Sequence, residues 1–321
     1  MDLVARIRGK VIPAVPVPFG RRGKIDEAAQ RAYVAWMARQ PIGAVATWAH
    51  TGRGLLLTDE QRAQVLEAWR AGLGEMPIIC GVGVPHAARL PSDSTARTER
   101  VIAITTRLAE AARNGGAAAV MVHPPAALRG LRDRERRLVA LHRAVAEVGL
   151  PVIAFYLYEA AGGIAYAPET VGRILAIHRV VGIKLATLDS PMNYQDIAAV
   201  VREIPSALLI TGEDRFLGYS LMAGAGAALI GLAAACTDVP AALLDAWSAG
   251  ELSRFVSLNG AVDAFARDTF TAPIEGYVQR MLWALGAEGV IPKGASDPFA
   301  PRLAPAERER VTQAVRALRR R

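Results

Sequence analysis

PVIAFYLYEAAGGIAYAPETVGRILAIHRVVGIKLAT, residues 151–187, holds two apolar runs with a helical stretch between them. The runs at 151–158 and 180–187 are continuous rather than alternating, which is typical of parallel strands that are covered on both faces. The stretch at 168–178 has the residue pattern of a helix. The segment therefore predicts a strand–helix–strand unit with parallel strands.

The same unit repeats along the whole chain. Six further apolar runs lie at 11–19, 42–49, 77–84, 117–124, 207–214 and 227–234. Helical stretches separate the runs; one of them starts after Thr58, with Gln61 three residues later as in a capping box. Eight such repeats predict an α/β fold, a (β/α)8 TIM barrel, with a doubly wound open sheet as the alternative. We expect the barrel to span residues 1–245 and a C-terminal helical extension to span residues 246–321.

Composition and charge narrow the class of protein. A chain with 52% hydrophobic and 21% charged residues is globular with a sizeable core, not disordered. The net charge of +8 would suit nucleic acid, but residues 302–321 alone hold seven arginines and two glutamates. We expect no nucleic-acid partner, because this excess lies in one tail without interleaved aromatic residues.

The sequence also carries no pattern typical of a secreted or membrane protein. Residues 1–10 lack the apolar core of a signal peptide. The uncharged span 218–237 is mostly Gly and Ala, so its insertion into a membrane would be unfavourable. Cys80 and Cys236 are too few for a disulfide framework or a zinc site. We therefore expect a cytoplasmic protein.

Lysine is scarce, and one lysine has an unusual setting. Only four of the 38 basic residues are lysine, and Lys10, Lys24 and Lys293 adjoin glycine in expected loops. Lys184 lies inside the apolar run at 180–187. Burial disfavours its ammonium form, and a neutral amine can attack a carbonyl to form a Schiff base. The alternative is that Lys184 pairs with a carboxylate in a structural role.

The carboxyl ends of the strands supply the other candidates, because chemistry in this fold lies there. Tyr156, on the strand before Lys184, is the candidate acid/base hydroxyl, with a buried core tyrosine as the alternative. His50, His86 and His123 follow three successive strands. They can contact substrate, relay protons, bind zinc or be structural, although their spacing fits no common metal motif.

Several stretches together resemble the dihydrodipicolinate synthase/N-acetylneuraminate lyase family. They occur in the family's order over nearly the whole chain: VIPAVPVPF (11–19), GKID (23–26), LTDEQR (57–62), PIICGVG (77–83), LPVI (150–153), PET (168–170), GIK (182–184) and GED (212–214). The resemblance implies a class I aldolase or lyase that forms a Schiff base with pyruvate or a related 2-oxo acid through Lys184. It also implies no metal or other cofactor, and a homotetramer or homodimer.

One loop departs from the family's pattern. The family's Gly-Thr-Thr-Gly-Glu loop, which binds the oxo-acid carboxylate and supplies a relay hydroxyl, corresponds to AHTGR at 49–53. Here His50 stands in the place of the relay threonine, and Arg53 stands in the place of the acid. The resemblance therefore implies substrate contacts from His50, Thr51 and Gly52.

The tyrosine and arginine positions depart as well. Counting back from the PET stretch, with one extra residue in the strand, puts the family's catalytic tyrosine at Tyr156; Tyr158 is the rival and, with His123, a candidate substrate contact. The arginine that binds the second substrate's carboxylate would fall at Ala161. The second relay tyrosine would fall near 125–126, where none is present. We therefore expect a substrate pair other than that of true dihydrodipicolinate synthase, with an aldehyde or sugar acid as the less acidic partner.

Two alternatives stay open. A dehydratase or hydratase of a deoxy-oxo-sugar acid would use the same imine, and a barrel that had lost catalysis would bind without reacting. Glu213 and Asp214 at the end of the seventh run could form an acid/base pair, but the family's equivalent segment is mainly structural.

Overall fold

The computed structural model describes residues 2–20 and 23–320. Eight parallel strands run through it: β1 Val11–Pro13, β2 Val45–Thr47, β3 Ile78–Val82, β4 Ala119–Val122, β5 Val152–Leu157, β6 Val180–Ala186, β7 Leu208–Thr211 and β8 Ala227–Ile230. Each strand pairs with its neighbour in chain order from β2 to β8, and β1 pairs with β8. A parallel bridge between Ala14 and Ala46 closes the ring. The predicted (β/α)8 barrel is confirmed.

Among the described residues, one helix precedes the first strand, one helix follows each strand, and three more form the extension. The helices are α1 Leu3–Ile7, α2 Glu27–Met37, α3 Asp59–Leu73, α4 Ser94–Asn114, α5 Arg134–Ala146, α6 Pro168–Leu175, α7 Pro191–Arg202, α8 Leu217–Met222, α9 Asp238–Ser248, α10 Leu252–Thr269, α11 Tyr277–Ala287 and α12 Pro305–Arg319. The expected boundary after residue 245 falls inside α9, the helix of the eighth unit. We therefore place the start of the extension at α10.

The expected start of α3 has the capping geometry that its sequence suggests. Thr58 Oγ1 accepts a hydrogen bond from the Gln61 amide at 3.2 Å, and the Thr58 amide donates to Gln61 Oε1 at 3.0 Å. The two bonds satisfy donors that a helix start otherwise leaves unpaired.

Alternation along each strand separates the barrel interior from the layer under the helices. On β5, Ile153, Phe155 and Leu157 belong to the interior cluster, whereas Tyr156 belongs to the outer one. Phe155 is the register partner of Lys184 on β6. Two side chains of α1 also join the interior cluster, so this short helix closes the amino end of the barrel.

The uncharged span 218–237 and the two cysteines have ordinary structural environments in the barrel. The uncharged span 218–237 becomes most of α8, then β8 and the turn before α9. Cys80 and Cys236 are both buried and unpaired. Across the described part of the chain, no helix combines the length and the apolar character needed to cross a membrane.

Candidate active site

Lys184 points into the barrel near the carboxyl end of β6. Its side chain is 5% exposed, and Nζ lies 4.3 Å from the centroid of the Phe155 ring. Burial lowers the pKa of Lys184, although the charges of Asp214 and Glu213 act in the opposite direction. Gly212 leaves it room, because a Cβ at that position would lie 2.5 Å from Lys184 Cε. The amine is therefore closer to its neutral, nucleophilic form than an exposed lysine is.

A small chamber of about 40 Å³ surrounds this amine. We call it the lysine chamber; its polar lining consists of His50, Thr51, Tyr158, Lys184, Glu213, Asp214 and Tyr277. Four of the predicted site residues meet here: His50 and Thr51 after β2, Tyr158 after β5, and Lys184 in β6. The lining also includes side chains that the sequence did not suggest. Tyr277 comes from the extension, so the chamber is completed by residues outside the (β/α)8 unit.

The position of Tyr156 differs from the prediction. Its ring packs against Tyr166 in the outer layer, with centroids 6.0 Å apart, and the side chain beside Lys184 is Phe155. The count back from residues 168–170 assumed one extra residue in β5. The pairing of β5 with β6 instead places the extra residue in β6, where Val181 has no register partner on β5. A shift of one residue turns a strand side chain to the opposite face. Tyr156 is thus not on the barrel wall next to the lysine.

Tyr158 supplies a hydroxyl in the lysine chamber instead. It follows the last residue of β5, where the chain leaves the sheet, and it packs against the interior cluster. Burial raises the pKa of Tyr158, and the nearby carboxylates Glu275 and Asp214 raise it further. Its hydroxyl therefore keeps its proton at neutral pH and can donate it.

The loop after β2 contacts the extension through two side chains. Thr51 Oγ1 lies 3.0 Å from the Tyr277 hydroxyl, and His50 Nε2 lies 2.9 Å from Glu275 Oε1. The amides of Thr51 and Gly52 donate no hydrogen bond to the described residues; Thr51 lines the lysine chamber, whereas Gly52 lies next to it in the chain, outside the lining. Gly52 is required by packing, since a Cβ there would lie 2.9 Å from the Val15 carbonyl oxygen.

Arg53 is buried and paired on both sides with carboxylates of the extension. Its Nε and Nη2 donate to Asp297 Oδ2 at 3.0 and 2.8 Å, and Nη1 donates to Glu275 Oε2 at 2.5 Å. Burial acts to raise the pKa of Glu275, but the hydrogen bonds and charges of His50 and Arg53 outweigh it and lower that pKa to about 2. Glu275 is therefore ionised and orients both side chains.

Sequence reasoning missed Glu275, Tyr277 and Asp297. One signal could have indicated the two carboxylates: an arginine in place of the family's acid, on a buried loop, needs compensating negative charge from elsewhere in the chain. Nothing in the local sequence of the extension indicates the tyrosine.

With this geometry established, comparison with known proteins decides the family. The model described as "Dihydrodipicolinate synthetase family" matches residues 8–318. The chain belongs to the dihydrodipicolinate synthetase family. The resemblance that the sequence motifs predicted is confirmed, and with it a class I lyase of the Schiff-base aldolase type.

Individual relatives are distant. A 4-hydroxy-tetrahydrodipicolinate synthase of Alcanivorax borkumensis is 28% identical over 300 residues, 92% of each chain. One from Methylobacterium radiotolerans is 30% identical over 258 residues, 79% of this chain and 78% of its own.

Solved structures show the same fold at lower identity. Dihydrodipicolinate synthase from Oceanobacillus iheyensis superposes with a TM-score of 0.81 at 19% identity, covering 99% of this chain and 98% of its own. Ruminococcus gnavus sialic acid aldolase gives 0.81 at 18% identity, covering 98% of each chain.

In this member of the dihydrodipicolinate synthetase family, His123 lies behind Phe155 rather than in the lysine chamber. Its Nε2 is 3.2 Å from the Trp48 carbonyl oxygen, and its ring meets Phe155 edge to face with centroids 5.6 Å apart. Burial lowers the pKa of His123 to about 3, so the ring is neutral. Within residues 2–20 and 23–320, no three His, Cys, Asp or Glu side chains meet in a metal-binding group.

The paired carboxyls after β7 have different partners. Glu213 Oε1 accepts from Thr187 Oγ1 at 2.9 Å, and Oε2 accepts from the Leu188 amide at 3.1 Å. Asp214 Oδ1 accepts from the Leu232 amide at 2.7 Å. Burial raises the pKa of Glu213 to about 7 and also raises that of Asp214. Glu213 thus holds the residues that follow β6, while Asp214 is the carboxyl whose charge raises the pKa of Lys184 more strongly.

A second, larger cavity adjoins the lysine chamber. It has a volume of about 500 Å³, and its lining includes His86, His123 and the positions of the missing family residues, Ala161 and 125–126. In the part of the chain that the structure describes, only His50 and Leu157 line both spaces.

Proposed function

We propose that this enzyme is a Schiff-base aldolase or lyase that acts on pyruvate or a related 2-oxo acid, with Lys184 as the nucleophile. The observation that carries the proposal is the buried Lys184 amine, with its lowered pKa, facing a chamber at the carboxyl end of the barrel. The amine attacks the 2-oxo carbon, and loss of water gives an imine. The imine withdraws electrons, so a proton can leave the neighbouring carbon to form an enamine.

The neighbouring groups fit the remaining needs of this chemistry. We assign the free amides of Thr51 and Gly52 to the substrate carboxylate, with His50 beside them. Tyr158 keeps its proton at neutral pH and lines the chamber, so it is our candidate to move protons at the carbinolamine stage. This role replaces the one that the sequence assigned to Tyr156.

The acceptor half supports a reaction other than dihydrodipicolinate synthesis. Ala161 and Pro125 line the larger cavity at the places where the family's arginine and second tyrosine would fall. We propose that the second substrate is an aldehyde or sugar acid of lower acidity. Family members are generally oligomeric, and we propose a cytoplasmic homotetramer or homodimer, testable by light scattering and by localisation of a tagged chain.

Dehydration of a deoxy-oxo-sugar acid is the second candidate. Asp214 lines the lysine chamber, and burial raises its pKa, so it can hold a proton for a departing hydroxide. The same Lys184 imine would activate the carbon that loses its proton. Product analysis with a 2-oxo-3-deoxy sugar acid separates dehydration from carbon–carbon cleavage.

Trapping with borohydride tests the nucleophile. Pyruvate and borohydride should add a reduced adduct to the intact chain, with peptide mapping placing it on Lys184. Lys184→Ala should abolish the adduct. Lys10→Ala is the matched control, because Lys10 is an exposed residue paired with Asp245. Absence of an adduct with every 2-oxo acid tried would overturn the proposal.

A further inference from the structure

The larger cavity has a mainly apolar wall. We call it the acceptor cavity; among its lining residues are Leu56, Val84, Leu90, Pro124, Leu157 and Phe299. Its volume of about 500 Å³ lies within the range typical of small-molecule sites, roughly 300–1,000 Å³. It joins the lysine chamber at His50 and Leu157, so a molecule seated in it can reach the carbon activated on Lys184.

The charged groups around the acceptor cavity are already engaged. Arg53 is held by Asp297 and Glu275, and Glu275 also bonds His50. The neutral ring of His123 is bonded to the Trp48 carbonyl oxygen. Among residues 2–20 and 23–320, no unpaired cation lines this space, so an anionic group that enters it would lose its water without a compensating charge from them.

His86 is the remaining titratable group of this wall. Partial burial lowers the pKa of His86, and the neighbouring His50 and Arg53 lower it further, while Glu275 acts in the opposite direction. The ring is therefore neutral at neutral pH, so it does not offer a counter-charge to a carboxylate or a phosphate.

From this wall we propose that the acceptor cavity takes the side group of an uncharged, apolar aldehyde, with aromatic or bulky aliphatic substituents. The inference rests on the proposed Schiff-base function and names its second substrate class. A hydroxyl-rich sugar chain would meet few partners on this wall, and a carboxylate would meet no unpaired cation among the described residues.

The reaction joins the two halves without any further reagent. The C=C pair of the Lys184–pyruvate enamine forms the bond to the aldehyde carbon, and the nitrogen lone pair restores the imine. The carbonyl π pair moves to the aldehyde oxygen, which takes up the proton that left the pyruvate methyl group when the enamine formed. Water then adds to the imine carbon and displaces the amine of Lys184. The product is a 4-hydroxy-2-oxo acid that contains all atoms of pyruvate and the aldehyde, and the same steps in reverse describe cleavage.

Two aldehydes of similar size test the inference on the full-length enzyme with pyruvate: 4-methylbenzaldehyde and 4-carboxybenzaldehyde. The expected result is a kcat/KM about 100-fold higher for the methyl compound, because the carboxylate would be buried unpaired. Leu56→Arg supplies a cation in the cavity and should reduce this ratio by about tenfold or more. Leu252→Arg, at an exposed leucine of α10 far from the cavity lining, is the control and should leave the ratio unchanged.

Borohydride trapping on the same samples separates this inference from its premise. If the pyruvate adduct forms but the carboxylated aldehyde reacts as well as the methylated one, the acceptor inference fails and the Schiff-base proposal stands. The acceptor inference also fails if Leu56→Arg leaves the kcat/KM ratio of the two aldehydes unchanged. A change in the oligomeric state of that variant would then identify the cavity as an interface between copies of the chain. If no 2-oxo acid gives an adduct, both fail.

Discussion

The assignment of the acid/base group near Lys184 depends on two side chains, Phe155 and Tyr158. Phe155 pairs in register with Lys184 and faces its amine, so an aromatic ring takes the inward position of β5. A ring face stabilises a cation and cannot transfer a proton. On this segment, the side chain that brings a hydroxyl to the chamber is Tyr158, three residues further on and beyond the end of the strand.

Replacing each tyrosine separates these roles. Tyr158→Phe should lower turnover by about 100-fold, the low end of the usual contribution of a positioned proton donor. Tyr156→Phe is the matched control on the same segment and should retain near wild-type turnover, because its ring faces Tyr166 in the outer layer. Steady-state rates with saturating substrate measure both. Equal losses in the two variants would contradict the placement of the acid/base group.

The pH dependence of adduct formation should follow the lysine. The neutral amine is the attacking form, so trapping should increase as the pH rises through the lowered pKa of Lys184 and level off earlier than for an exposed lysine. The charge of Asp214 raises the pKa of Lys184, so Asp214→Asn should move the midpoint of trapping to lower pH. Trapping rates between pH 6 and 10 measure the shift, with Asp245→Asn as the exposed control. An upward shift would contradict the assigned coupling.

At the scale of elements, the loop after β2 and the extension depend on each other. His50 and Arg53 find their carboxylates 225 and 244 residues away, at Glu275 and Asp297. Glu275 lies in the short 3-10 helix Ile274–Gly276, just before α11. The extension therefore fixes the loop that we assign to the substrate carboxylate.

Breaking the buried pair should destabilise the protein. Asp297→Ala leaves the guanidinium of Arg53 with one carboxylate instead of two, and we expect the free energy of unfolding to fall by about 3 kcal/mol. Asp245→Ala removes the partner of Lys10 in an exposed pair and should cost less than about 1 kcal/mol. Urea unfolding compares the two variants. Similar small losses would show that the Arg53 cluster is not a structural clamp.

At the scale of the whole molecule, the two ends of the barrel have different tasks. The carboxyl ends of the strands hold Lys184 and both cavities, whereas α1 closes the amino end with Leu3 and Ile7. In this fold, the amino end contributes stability and the carboxyl end contributes chemistry.

Shortening a side chain of α1 should separate the stability of the amino end from the chemistry of the carboxyl end. Ile7 is fully buried, so Ile7→Ala should lower the free energy of unfolding by about 2–4 kcal/mol. The yield of the Lys184–pyruvate adduct per folded molecule should stay at the wild-type level, because Ile7 lies at the far end of the barrel. Thermal unfolding and trapping at 20 °C measure the two effects. Loss of the adduct in a folded variant would contradict this separation.

The success of the sequence predictions depended on the range of the interactions involved. The eight strand–helix units and the Thr58 capping box arise from neighbouring residues, and both are present as predicted. The inward position predicted for Tyr156 differs from the structure, because the count back from residues 168–170 assumed an extra residue in β5, whereas the irregularity lies at Val181 in β6. The catalytic role of Lys184 stays a prediction that adduct trapping decides.

The barrel, the family and the setting of Lys184 in an apolar strand could all be predicted from the sequence, because periodicity and burial are encoded within short segments. The identity of the side chains that face the Lys184 amine became clear from the tertiary structure. Phe155 and Tyr158 owe their positions to the pairing of β5 with β6, and Glu275 and Asp297 owe theirs to the docking of the extension on the barrel mouth. Contacts between residues more than 200 positions apart leave no local pattern, so packing alone brings them together.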